Sequence, residues 1–178
     1  SGALAMVSAF GGEDLDDVRG LCEHALEDGA LISERGAGAF ASAHVLAGLV
    51  TIEEYERALD FTDELERAAR AQGSVANVMT ATYFRGWIAL LRGDLAGSEE
   101  VLRPLVDTAV ENVMVLLLVT MLWSLTEVII ERPSNEALAA MVESIQLPPP
   151  FTEVAGGAWL LSVRGRLRAA RGAREEAE

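Results

Sequence analysis

The chain has no lysine: all 14 of its basic residues are arginine. A phosphate-gripping P-loop and a Schiff-base enzyme both need a lysine amine, so both are excluded. One cysteine, Cys22, cannot form an internal disulfide, which removes the small disulfide-stapled secreted folds. His24 and His44 are the only histidines and leave almost no material for a His-rich metal site. Positive charge is scarce as a whole, with 28 acids against 14 bases and a net charge of -14. Such a surface repels phosphates instead of exchanging their counterions, which opposes nucleic-acid binding. Strand signals are missing too: no Asn-Gly or Asp-Gly hairpin is flanked by alternating β-branched residues. Ser1 to Phe10 lacks the charged start of a secretory signal, and the expected location is the cytoplasm.

What is present is 178 residues, 51% of them hydrophobic, enough to fold one domain around a real core. The first residue is Ser1, which reads as a segment cut from a longer chain or as a tag remnant. The longest apolar run, Val113 to Ile130, just reaches membrane-spanning length. Glu127 inside it and the few flanking basic anchors favour a helix buried between other helices, with no membrane partner.

Ala, Leu, Glu and Arg dominate, all good helix formers. Short breaks recur at Gly11-Gly12, Asp28-Gly29, Arg35-Gly36, Gly73, Arg92-Gly93-Asp94, Arg132-Pro133-Ser134, Pro148-Pro149-Pro150 and Arg171-Gly172. The helices between them are of two kinds. Ala37 to Val50, Ser74 to Leu91, Val113 to Ile130 and Phe151 to Ala170 are apolar nearly all round. Asp14 to Glu27, Ile52 to Gln72, Leu95 to Val110 and Asn135 to Ile145 are amphipathic and acidic. The two kinds alternate, as a stack of helical hairpins requires, so the expected fold is all-α. For the caps, Thr51 and Glu54 predict a capping box, and Ser74, Asn112, Ser134 and Thr152 stand at helix starts. Gly73 fits a left-handed helix end, and Pro104 should kink its helix.

Asp14, Thr51, Asp94, Ser134 and Ala173 start successive amphipathic segments at nearly even intervals. The hairpin period is about 40, within the range of solenoid arrays. Apolar residues follow at matching offsets, which makes Cys22 a small core residue and not a nucleophile. Trp87, Trp123 and Trp159 fall in the apolar helices, evenly spaced along the chain. Gly86 and Ser98 stand across one turn from each other, and Gly165 and Ala177 stand at the same separation across another. These pairs resemble the small residues of tetratricopeptide (TPR) repeats, and Gly93-Asp94-Leu95 resembles the TPR turn. The resemblance implies a TPR-like antiparallel helix-hairpin solenoid, one segment over residues 1–178, with Gly86, Ser98, Gly165 and Ala177 as packing positions. Residues 2–10 read as the tail of a first helix and Arg174 to Glu178 as the start of another, so the array reads as excised in mid-repeat.

Ala68 to Ser74, Phe84 to Ala96, Leu147-Pro148 and Arg164 to Gly172 resemble the middle region of large actinobacterial LuxR-type transcriptional regulators. Those proteins carry an AAA-type ATPase module first, a TPR-like array second and a helix-turn-helix last. The resemblance covers most of the chain and rests on packing and turn motifs, so it carries over no catalytic residue and no cofactor. It implies a regulatory or sensor segment that contacts a protein, a neighbouring domain or a small-molecule effector. The alternative is a stand-alone TPR-like scaffold for peptides or self-assembly. Either way an enzyme is not expected, since no nucleophile–base pair or ligand cluster stands out. The oligomeric state is left open.

Remaining clusters have plain readings. His24 reads as a solvated helix-face residue and His44 as a core-edge one. The acids from Glu53 to Glu66 read as a solvated face paired with Arg57 and Arg67 at helical spacing. Arg164, Arg168 and Arg171 share one helical stripe; phosphate contact is one reading, and pairing with acids of a neighbouring helix is the favoured one. Trp87, Trp123 and Trp159 are packing residues and candidate groove-lining residues for a ligand.

Overall fold

The computed structural model describes residues 4, 11–12, 14–27, 39–147 and 155–172. Among the described residues there are eight principal α-helices and no strand. In chain order they are α1 (Leu15–Leu26), α2 (Ala39–Thr51), α3 (Tyr55–Gln72), α4 (Val75–Leu91), α5 (Leu95–Glu111), α6 (Val115–Glu131), α7 (Glu136–Ser144) and α8 (Ala155–Ala170). The fold is therefore all-α, and each helix falls within a few residues of its expected bounds. The chain divides into two units, Ser1–Ile88 and Ala89–Glu178.

In the first unit α2 packs against both α1 and α3. Val18, Cys22, Leu46, Leu49, Ala58 and Leu65 are fully buried, so Cys22 is a core residue as its spacing predicts. Arg19 on α1 reaches Glu54 at the start of α3 (2.9 Å), and Arg57 on α3 reaches back to Glu23 on α1 (2.8 Å). Arg57 thus pairs between helices instead of along its own. In the second unit α6 packs against α5, α7 and α8, and α8 also touches α7. Encirclement explains why α6 is apolar nearly all round: Met121, Leu122 and Leu125 are fully buried. Each such side chain contributes about 1.5–3 kcal/mol on burial, against roughly 0–1 kcal/mol for a surface ion pair, so burial sets the fold and the ion pairs trim it.

Four of the interhelical turns share one plan. Glu53, Gly73, Gly93 and Val113 all hold positive φ (62°, 68°, 81° and 54°). In each turn the next residue's N–H donates to a carbonyl five positions back: Glu54 to Leu49, Ser74 to Ala69, Asp94 to Ala89 and Met114 to Ala109. This is the long bond of a Schellman helix end. The four left-handed positions, 53, 73, 93 and 113, are evenly spaced along the chain. Asp94 then caps α5, accepting from Gly97 N–H at 2.9 Å. A Cβ on Gly97 would run into that carboxylate, so the cap and the glycine belong together.

Some expected caps are corrected. Thr51 ends α2, its hydroxyl donates to the Ala47 carbonyl, and Glu54 caps α3 without a side-chain bond, so there is no capping box. Asn112 closes α5 instead of opening α6, its Nδ2 donating to the Thr108 carbonyl. Asn135, not Ser134, caps α7 by accepting from Leu138 N–H at 3.2 Å. Ser74 does accept from Asn77 N–H, at a long 3.5 Å. Helix α5 runs on through Pro104. Thr152, Ala177, Arg174 to Glu178 and most of the expected first-helix tail lie outside the described residues.

Candidate interaction surfaces

The first unit places one aromatic cluster on α4. Tyr83 stacks on Trp87 with ring centroids 6.1 Å apart, and Phe84 meets Tyr83 edge-on at 5.2 Å. Trp87 is half-buried there, so much of its indole already has protein partners. Next to it in sequence, Arg85 bridges back to α3, where Asp63 accepts at 2.7 Å and Glu66 accepts a further bond. Glu66 also accepts from Arg70, one turn along α3. The hydrogen bond from Arg85 holds the Glu66 carboxyl below the ordinary glutamate range, and its partial burial opposes this less strongly. For Arg85 burial pulls the value down, but the bonds to Glu66 and Asp63 together outweigh it and push the guanidinium up.

In the second unit the three striped arginines all turn to α7. Arg168 grips Glu143 through Nε (3.2 Å) and Nη2 (3.0 Å), and Arg171 pairs with Glu136. Arg164 donates to the backbone carbonyls of Glu143 and Ile145, neutralising the negative end of α7. This is the helix-to-helix pairing that the spacing favours, and it spends the stripe on packing instead of phosphate. The order of these pairs along both helices shows that α7 and α8 run antiparallel.

Trp123 on α6 and Trp159 on α8 are different from Trp87: they are 42% and 48% exposed. The guanidinium of Arg166 lies over the Trp123 ring, 4.8 Å from its centroid, and pairs with Glu127 one turn farther along α6. Arg166 is not among the residues singled out by sequence, since the neighbouring arginine stripe is the more regular pattern. A signal for it exists: Arg166 stands seven positions after Trp159, on the same helical stripe.

Gly86 and Ser98 are both buried, the latter with its hydroxyl lacking a hydrogen-bond partner; Gly165 is half-buried on α8. Cys22 is buried, and that burial pushes its thiol pKa up, away from nucleophile behaviour. His24 is exposed and lies 3.1 Å from Glu27, while His44 is half-buried on α2. Among the described residues no group of acids, His and Cys could hold a metal ion. None of the described helices is long and apolar enough to cross a membrane. An open pocket of about 260 Å³ lies beside α5, lined by Ala96, Glu99, Glu100, Arg103, Pro104 and Arg132. Its Glu99 is already held by Asn135 (2.8 Å) and Arg132 (3.4 Å). No family model, curated protein or solved structure matches the chain.

Proposed function

We propose that this chain is a TPR-like helix-hairpin array serving as a regulatory or sensor segment of a LuxR-family transcriptional regulator in the cytoplasm. One observation carries the reading: left-handed turn residues recur evenly at 53, 73, 93 and 113. Each interval is one helix plus its turn, and two intervals make a hairpin of the length that solenoid arrays use. Added to it are the packing of α6 against three other helices and the buried small residues Gly86 and Ser98. The family comes from the likeness of Phe84 to Ala96 and Arg164 to Gly172 to those regulators. In this reading the first helices of the hairpins present Trp87, Trp123 and Trp159 to a protein, a neighbouring domain or a small-molecule effector, and the role is non-catalytic. An array whose units touch only their neighbours changes curvature at small cost, so a bound ligand can bias domain arrangement through its differential affinity. The test is deletion of this segment from a parent regulator. The expected result is altered response of transcription to its signal, with unchanged operator affinity of the isolated DNA-binding module. An unaltered signal response overturns the proposal.

A further inference from the structure

We propose that the pocket beside α5 binds a small amino-acid zwitterion, with the ligand carboxylate between Arg103 and Arg132 and its ammonium at Glu100. Ala96, Glu99, Glu100, Arg103 and Pro104 follow helical spacing, so they share one face of α5, and Arg132 closes the pocket from the end of α6. At about 260 Å³ the space lies just below the range of about 300–1,000 Å³ that takes drug-sized ligands, so its ligand is small.

Two cations converge on one acid here. Arg132 lies 3.4 Å from Glu99 Oε2, and Arg103 lies 3.8 Å from Glu99 Oε1. The short bond to that carboxylate comes from Asn135, at 2.8 Å. Both guanidiniums therefore rest loosely on Glu99 with most of their donors uncommitted, and their side chains are 45% and 51% exposed. A ligand carboxylate can take both, in the forked geometry that guanidinium favours. Acceptors stand next to these donors. The Glu100 carboxylate joins no ion pair among the described residues. Pro104 supplies a second acceptor: it has no N–H to give to the carbonyl four positions back, which is that of Glu100, so this carbonyl is released from its helix bond beside the pocket.

Charge selects the ligand class. The chain carries -14 and repels free anions, whereas the four side-chain charges of the pocket cancel. A molecule with one ammonium and one carboxylate meets no long-range penalty and satisfies both halves of the site at once. Ala96 and Pro104 supply an apolar wall that suits a short apolar side chain.

The inference does not rest on the regulator proposal and is tested on this chain alone. Titration with L-valine, followed by amide NMR shifts, should show saturable binding at about millimolar affinity, since few contacts form in so open a site. Valinamide keeps only the ammonium and N-acetylvaline only the carboxylate; each should bind about 10-fold more weakly. Arg103→Ala, Arg132→Ala and Glu100→Gln should each weaken valine binding about 10-fold. Pro104→Ala separates binding from folding: it returns an N–H to the Glu100 carbonyl, so it should raise the melting temperature and still weaken valine binding. Ala96→Leu should block the pocket with every charge left in place. Circular dichroism establishes that the variants keep their helices. No saturable binding of valine overturns the proposal. Equal binding of either half-ligand does so too, since the site then reads a lone carboxylate or a lone amine. Binding that the arginine and Glu100 variants leave unchanged overturns it as well.

Discussion

Val113 holds a backbone conformation that β-branched side chains avoid, with φ at 54° and the residue 52% exposed. Left-handed geometry costs an L-residue roughly 1–2 kcal/mol, and glycine escapes that cost while giving up some unfolded-state advantage. Gly73 and Gly93 show what the turn prefers. Val113→Gly is therefore expected to stabilise the chain by about 1 kcal/mol, or roughly 2–4 °C in Tm. A thermal melt that shows no gain, or a loss, would mean that the valine side chain has a partner worth more than the strain. Glu66 makes a second residue-scale case. Its native pKa lies below the ordinary range because Arg85 bonds the carboxylate. The unfolded chain thus binds the proton first as pH falls, and stability rises with pH through this window. The contribution is complete above the ordinary glutamate value of about 4.3 and drains away as pH drops through the lowered native one. Glu66→Gln should cost about 1–3 kcal/mol at neutral pH, because Arg85 loses its ionised acceptor, and should flatten the acid limb of a urea-melt pH series.

At the scale of the element, α4 and the turns on either side show how the sequence is to be read. Gly86 is buried on α4. Gly86→Leu should overpack its surroundings and cost about 1–3 kcal/mol. An unchanged melting temperature would show that the repeat register is misplaced. Helix positions are legible because apolar periodicity survives the loss of detail at the ends, but α8, expected to be covered nearly all round, leaves Trp159 and Leu161 exposed. The caps are less legible. Asn112 has the right chemistry for either end of a helix, and only the bond of its Nδ2 to the Thr108 carbonyl decides that it closes α5. Likewise Ser134 and Asn135 are adjacent and both competent, and a single step of register separates them. The even period of the turns is hidden for a plainer reason: two of its four left-handed positions carry glutamate and valine, which announce no such geometry. Of the candidate surface, both exposed tryptophans are legible in the sequence, but Arg166 is not. Its role depends on α6 and α8 being neighbours, and no local pattern encodes that.

For the molecule as a whole, the balance of charge governs what it can approach. A net charge of -14 gives duplex DNA no counterions to release, and the arginines of α8 that resemble a phosphate stripe are engaged with α7. The isolated chain should neither retard duplex DNA at physiological salt nor hydrolyse ATP. A salt-sensitive mobility shift would return attention to Arg164, Arg168 and Arg171.

The ion pairs that tie helix to helix, from Arg19–Glu54 and Arg57–Glu23 to Arg166–Glu127 and Arg168–Glu143, all draw their cation from arginine. A protein stitched with lysine would begin to lose such stitches near pH 10, where ammonium groups give up their protons, whereas guanidinium holds its charge beyond about pH 12. Alkali therefore leaves this scaffold's electrostatic fastening intact long after it would have undone a lysine-rich counterpart. Thermal melts at about pH 8 and about pH 10.5 should differ by the loss that the buried Cys22 thiol brings, since it ionises first in the unfolded chain. Cys22→Ala should remove most of that difference. A steep fall that persists in the variant would show that something other than the thiol and these pairs limits the protein in base.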